Sequence, residues 1–185
     1  MIDLAAAKTF LKDPPSEEDA LVQASINAAI SAVQNATGKP FAAAEFTQTL
    51  DGFPRCNKAI LLRKGPVSPD TPAPSIKYDD VDGVEQTLAD FRLVEAAGAA
   101  AKLLPAYGAS WPATAIGEGS VRVTYTAGYD GGEGVPADLD QAVLLLVGHY
   151  YSNREAVVEG DRAAAVELPL GVQALLAPYA IPGIA

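Results

Sequence analysis

Cysteine, histidine, tryptophan and methionine each occur once in this chain of 185 residues. The lone cysteine, Cys56, excludes an intrachain disulfide and any cysteine-cluster metal site, and it suits synthesis in a reducing cytoplasm. The lone histidine, His149, has no second histidine to share a zinc ion. Neither HExxH nor GxSxG occurs. His149 stands on a helical segment among Leu146, Tyr150 and Tyr151, which reads as a packed or interface histidine rather than a catalytic base. Positive charge is scarce too. Thirteen Lys and Arg face 23 Asp and Glu, for a net charge of −10. Such a chain does not grip nucleic acid through its overall charge, because phosphate affinity comes from clustered Lys and Arg. DNA can still pass through an assembly of such chains. The longest strongly apolar run, residues 142–148, is far short of the ~20 residues a bilayer demands. With no basic-then-apolar start, the chain is expected to be soluble and unexported.

Other local patterns also fall short of chemistry. Tyr78-Asp79-Asp80-Val81-Asp82-Gly83 has the outline of a calcium loop, but Tyr78 and Ala89 stand where acidic ligands belong, so a solvated hairpin turn is expected. The Gly-rich stretch 128–134 lacks the Gly-Lys-Ser/Thr ending of a phosphate loop and carries Asp130 and Glu133, which repel phosphate. Asp138 and Asp140 sit two apart on a helix and do not face each other. The one basic cluster, Arg55, Lys58, Arg63 and Lys64, reads as a solvated strand face. No catalytic residue, cofactor or metal site is expected.

What the sequence does contain is organisation. Asp3 can cap a short helix that Pro14-Pro15 stops, and Ser16 is expected to cap a second helix with Glu17, Glu18 and Asp19 in its first turn. Val22, Ile26, Ala29, Ile30 and Val33 follow at helical spacing until Gly38 and Pro40. Strand-like runs then occupy 46–50, 59–63, 75–78, 84–88, 91–94, 102–104 and 121–126. Val121, Val123 and Tyr125 alternate with polar neighbours. Asp82-Gly83 marks a tight hairpin turn, and the prolines from Pro66 to Pro74 mark a long loop. Helix returns at Pro136 and carries Leu139, Ala142, Val143, Leu146, Val147 and Tyr150 on one face. Leu144, Leu145 and Tyr151 are apolar off that face. A helix apolar nearly all round is buried on more than one side, one of which is a candidate subunit interface.

The spacing therefore predicts an α+β chain forming one structural domain. A helical core, made of an N-terminal helical hairpin over 1–40 and a long helix over 135–160, carries a β-rich insertion over 41–134. A C-terminal segment, 161–185, completes it. From Leu168 onward that segment has no charged side chain. Leu168, Val172, Leu175, Leu176 and Tyr179 fall on one helical stripe that Pro178 ends near Ala177. So few apolar side chains do not hold a segment in shape by themselves. It needs a surface, either its own core or a partner, and terminal segments are usually polar or frayed.

A set of stretches in fixed order carries a resemblance. They include Asp3-Leu4-Ala5-Ala6-Ala7-Lys8, Ile26-Asn27-Ala28-Ala29-Ile30, Gln48-Thr49-Leu50-Asp51-Gly52-Phe53-Pro54 and Ile60-Leu61-Leu62-Arg63-Lys64-Gly65-Pro66. Further along come Tyr107-Gly108-Ala109-Ser110-Trp111-Pro112, Val121 to Tyr129, Val135 to Glu155 and Leu168 to Tyr179. In this the chain resembles the head–tail connector family, also called adaptors or head-completion proteins, of long-tailed bacteriophages and gene transfer agents. One departure from the family pattern is the Pro-rich run 66–74, which is longer and less strand-like.

The resemblance implies a non-enzymatic virion structural protein made in the bacterial host cytoplasm and placed at the virion neck. It implies a ring of about twelve copies under the portal protein, around the DNA channel. The implied partners are the portal, a stopper or other tail-side neck protein, and further copies of the chain. DNA touches such a ring only in passing, and no membrane is involved. The portal-docking role falls on Leu168, Leu170, Val172, Leu175, Leu176 and Tyr179. The apolar residues off the main face of the long helix, Leu144 and Leu145, with Tyr150 and Tyr151, are the candidate subunit interface. A ring of a dozen such chains carries roughly −120 in formal charge, which would keep DNA from sticking to an acidic lumen. Two other readings stay open: another ring component of the neck, such as a stopper or tail terminator, and a small ligand-binding domain.

Overall fold

A computed structural model describes residues 2–68, 72–95, 100–115, 117–129, 134–153 and 169–180. They form two compact units, one from residues 2–37, 134–153 and 169–180 and the other from residues 38–129. The first is helical and the second is built of antiparallel sheets, so the fold is α+β.

In the helical unit, α1 (Leu4–Phe10) begins where the Asp3 carboxylate accepts from the Ala6 amide at 2.8 Å, the cap its sequence predicts. Lys12 and Asp13 take left-handed backbone angles (φ 65° and 54°) before Pro14-Pro15. Ser16 does not cap the next helix. It opens a 3-10 turn, Ser16–Glu18, whose preceding residue is Pro15, and that turn leads into α2 (Asp19–Thr37). The prolines hold the entering chain extended, so the first turn winds tightly instead of starting on a side-chain cap. Val22, Ser25, Ile26, Ala29, Val33 and Thr37 of α2 are buried. The buried hydroxyls are satisfied locally, Ser25 donating to the Leu21 carbonyl and Thr37 to that of Val33. Gly38 ends the helix at φ 66°. The third helix, α3 (Ala137–Ser152), packs along α2. A short α4 (Leu170–Leu176), continued by a 3-10 turn over Ala177–Tyr179, packs on α3. Lys8 of α1 pairs with Asp19 of α2 at 2.6 Å.

Among the described residues, the β unit has seven strands: β1 (Ala44–Leu50), β2 (Ile60–Leu61), β3 (Ser75–Asp79), β4 (Glu85–Leu88), β5 (Phe91–Val94), β6 (Lys102–Pro105) and β7 (Val121–Ala127). They lie on the strand-like runs of the sequence. One sheet has the order β1-β7-β3-β4 and the other β2-β6-β5, and every pairing is antiparallel. The alternation of β7 puts Val121, Val123 and Tyr125 into a core shared with Ile60, Leu62, Ile76 and Leu103. Its C-terminal end is more enclosed than a half-buried strand, since Thr126 and Ala127 are buried as well.

A side-chain amide joins the two sheets. Gln48 of β1 donates to the Leu61 carbonyl at 3.0 Å and accepts from the Arg63 amide at 3.1 Å. It mimics a peptide group between the edge of one sheet and β2 of the other. The residues after Pro66 are tied to β7: Val67 bridges to Ala127, and Ser68 donates to the Thr126 carbonyl. The Pro-rich segment beyond Ser68 falls partly outside the described residues.

Candidate assembly surfaces

The C-terminal helix α4 starts after Pro169, whose carbonyl accepts from the Val172 and Gln173 amides. Of the proposed docking residues, Val172 and Leu176 are buried in the helical unit, four residues apart on the face toward α3. Leu175 and Tyr179 are half-buried. Leu170 points the other way and is 84% exposed. Leu168 lies outside the described residues. The Tyr179 hydroxyl donates to the Asp138 carboxylate at 3.1 Å, fastening the end of the segment to the first turn of α3. Burial, and then the Asp138 carboxylate, raise the Tyr179 phenol above its usual pKa. The docking set thus divides: Val172 and Leu176 of the stripe pack on their own helical unit, and Leu170, off the stripe, is exposed.

On α3, Leu139, Ala142, Val143, Leu146 and Val147 are buried. Of the proposed interface residues, Leu144, Tyr150 and Tyr151 are half-buried and Leu145 is exposed. Tyr151 is already engaged, its hydroxyl donating to Glu18 of the N-terminal turn. His149 meets the edge of Tyr150 at 6.0 Å between ring centroids, and the Asn153 amide donates to the His149 carbonyl at 2.8 Å. At Gly148 α3 lies close to α1, since a Cβ there would stand 3.2 Å from the Phe10 ring.

In the β unit, Arg55, Lys58 and Arg63 are exposed and Lys64 is half-buried. The loop carrying Arg55 and Lys58 is held from behind. The Trp111 indole donates to the Lys58 carbonyl at 2.9 Å and stacks on Phe53 at 4.9 Å, and Phe53 meets Tyr78 edge-on. Cys56 and Asn57 take left-handed angles in this loop, where the Asn57 carboxamide accepts from the Trp111 amide.

The acidic hairpin loop is a turn cap. One Asp80 oxygen accepts from the Asp82 and Val84 amides, and the other from the Gln86 side chain. These bonds hold the Asp80 carboxyl below its usual pKa. The connection is longer than the tight Asp82-Gly83 turn expected. Val81, Asp82 and Gly83 form the loop, closed where the Asp80 amide donates to the Val84 carbonyl, with Gly83 at φ 79°. That is a turn followed by a left-handed residue, a common longer hairpin connection.

Below the loop, Arg122 of β7 makes a two-pronged bond to Asp79, at 2.6 and 3.1 Å, and a further bond to Glu85 at 2.9 Å. Lys77 reaches Glu85 at 3.0 Å. Hydrogen bonding to Arg122 lowers the Asp79 pKa, and bonds from Lys77 and then Arg122 lower that of Glu85. Among the described residues, no group of three or more His, Cys, Asp or Glu is placed to hold a metal ion, and no helix is long and apolar enough to cross a membrane.

A family model described as "Head completion protein" matches residues 1–164. The chain belongs to this family. The match covers the β unit and the helical unit as far as α3, so α4 lies beyond it. No curated protein matches the sequence. Solved structures do. One chain from a structure titled "Virion of native gene transfer agent (GTA) particle" is 29% identical, with 97% of this chain and 89% of that chain covered and a TM-score of 0.70. A chain from "Neck of empty GTA particle computed with C6 symmetry" is 28% identical with the same coverage and TM-score. A third, from "Neck of native GTA particle computed with C12 symmetry", is 28% identical, covers 98% and 92%, and has a TM-score of 0.65.

The sequence pattern does not single out the exposed apolar residues of the β unit: Leu61, Val81, Val84, Val94 and Tyr107. Each stands in a short strand or a turn, where too few residues repeat for a face to be read.

Proposed function

We propose that this chain is a non-enzymatic structural subunit of the head–tail connector ring in the neck of a phage-like or gene-transfer-agent particle. The observation that carries this reading is the likeness, over 97% of the chain at 29% identity, to a protein of the gene transfer agent virion. Family membership and the two neck structures point the same way. A relative in a neck of C12 symmetry supports a ring of about twelve copies. The partners are the portal on the head side, a stopper or other tail-side neck protein, and further copies. DNA passes through the ring without being gripped, which the net charge of −10 favours.

Docking to the portal uses the C-terminal segment. Its uncharged sequence and the 84% exposed Leu170 support this role. Leu144, Leu145 and Tyr150 on α3 are a candidate contact between copies, with Leu145 the most open. Tyr151 contributes least, because Glu18 already holds its hydroxyl.

Mixing the purified chain with purified portal and imaging by electron microscopy tests the reading. The expected product is a closed ring of chain on portal. A chain that binds tail components but not portal would instead be a stopper or terminator. Leu170→Asp keeps the buried contacts of α4 and is expected to weaken portal binding at least tenfold, the loss of a well-buried leucine contact. Normal portal affinity in that variant, and in a truncation lacking 168–185, would remove the docking role.

A further inference from the structure

We propose that the outer face of the β2-β6-β5 sheet is the receptor for the β3–β4 hairpin tip of a second copy of this chain. The proposal rests on the ring reading above and names two surfaces that close the ring.

The register fixes the receptor face. Leu61 and Val94 both pair with Lys102, one from each side, so the three form a row across the sheet on its solvent side. Ile60 and Leu103 alternate inward and are fully buried. Leu61 is 48% exposed and Val94 38%. On the same face, two residues along β5, Arg92 donates to the Pro105 carbonyl and lays its guanidinium 3.8 Å from the centre of the Tyr107 ring. Tyr107 is 86% exposed yet fixed by that contact. A large aromatic held open in this way gives up little freedom on binding and is typical of a residue that dominates an interface. The nearby Glu95 carboxylate is turned to the Val67 amide at 2.8 Å. In a chain of net charge −10, this face therefore presents apolar side chains between cations.

The hairpin tip has the opposite character. Val81 and Val84 are 67% and 55% exposed, and the exposed Asp82 stands between them. Asp80 holds the backbone of the loop through its carboxylate, so the tip is shaped before it meets a partner. Its apolar residues match Leu61, Val94 and Tyr107, and its exposed Asp82 matches Arg92 and Lys102. The receptor face cannot pair with itself without setting cations against cations, which disfavours a two-fold contact.

The two surfaces also lie on different parts of the β unit. The hairpin is at the β4 edge of its sheet, whereas the receptor sheet attaches by Gln48 to the β1 edge. A contact from one to the other leaves each copy with one free hairpin and one free face, as a head-to-tail ring requires.

The test uses the full chain with Cys56→Ser, so that no native thiol interferes. A Val81→Cys preparation is mixed with a Val94→Cys preparation under mild oxidation and analysed by mass spectrometry. A disulfide between position 81 of one copy and position 94 of another is expected, well above either variant oxidised alone. In parallel, Asp82→Lys and Lys102→Glu are each expected to weaken self-association severalfold by sedimentation. Both changes in one chain are expected to restore it, which loss of folding would not do. Rings that form without the 81–94 link, or that ignore Lys102→Glu, overturn this interface and leave the ring reading standing. A chain that forms no ring even on portal overturns both.

Discussion

Gly128 occupies a position that no other residue fits. Its φ is 126°, and a Cβ there would lie 2.4 Å from the Ala42 carbonyl oxygen. Its amide donates to the Pro66 carbonyl, and the next amide, that of Tyr129, donates to Pro40. The chain leaving β7 is threaded through these contacts, so Gly128→Ala must push backbone against backbone. A destabilisation of about 1–3 kcal/mol is expected, the usual cost of forcing a residue into a sparsely populated backbone region, read from the urea midpoint. Gly148→Ala is the contrast. It meets only the edge of the Phe10 ring at 3.2 Å, a flexible side chain that can turn aside. Helix propensity favours alanine there by about 1 kcal/mol, so a change within about 1 kcal/mol is expected in the same measurement. In the sequence, Gly128 is merely the first glycine of a Gly-rich stretch. The carbonyl it must pass belongs to a residue far back in the chain, and local pattern does not reveal such a partner. Asp3 is the opposite case: its cap partner is three residues away, and the cap was legible.

Among the elements, the β3–β4 hairpin ties its stability to pH. Asp79 and Glu85 have folded pKa values below the ordinary carboxylate range, because Arg122 and Lys77 hydrogen-bond to their charged forms. A lowered folded pKa means a contribution fully present above the unfolded pKa, about 4, and lost as pH falls through the folded value. Stability of the β unit is therefore expected to decline from about pH 4 downward. Arg122→Leu should flatten that decline, as checked by urea melts at a series of acidic pH values. A slope unchanged in Arg122→Leu would assign the acid sensitivity to other carboxylates.

Helix α4 behaves differently. It has seven residues, well short of the ~12–15 at which an isolated helix begins to persist, so its contacts with α3 hold it in place. Val172→Asp puts a charge into that buried contact. It is expected to speed hydrogen exchange at the α4 amides by at least tenfold, with the β unit unaffected. The apolar stripe of α4 was legible as an uncharged run with helical spacing. Helical spacing set Leu170 apart from the stripe of Val172, Leu175, Leu176 and Tyr179, but whether that stripe meets the chain's own core or a partner was not legible, because either surface suits apolar side chains. The strands were legible where side chains alternate, as at Val121, Val123 and Tyr125. The face carrying Leu61 and Val94 was not, because β2 is two residues long and offers no repeat to read.

At the scale of the whole molecule, the two units are unequal in how the chain builds them. Among the described residues, the β unit comes from residues 38–129, while the helical unit draws on both sides of them. During synthesis, α1 and α2 emerge first, with the apolar face of α2 still lacking α3. About a hundred residues separate the end of α2 from the start of α3, roughly 5–20 s of translation at bacterial rates. The β unit has all its strands before α3 exists, so it is expected to fold first and the helical unit to close last. A released chain truncated after residue 135 and probed with protease should show a protected β unit beside a cleavable α2. A protected α2 at that length would mean that it finds another partner while it waits. The insertion thus acts as a timer: the helices that need one another are kept apart until nearly the whole protein has been made.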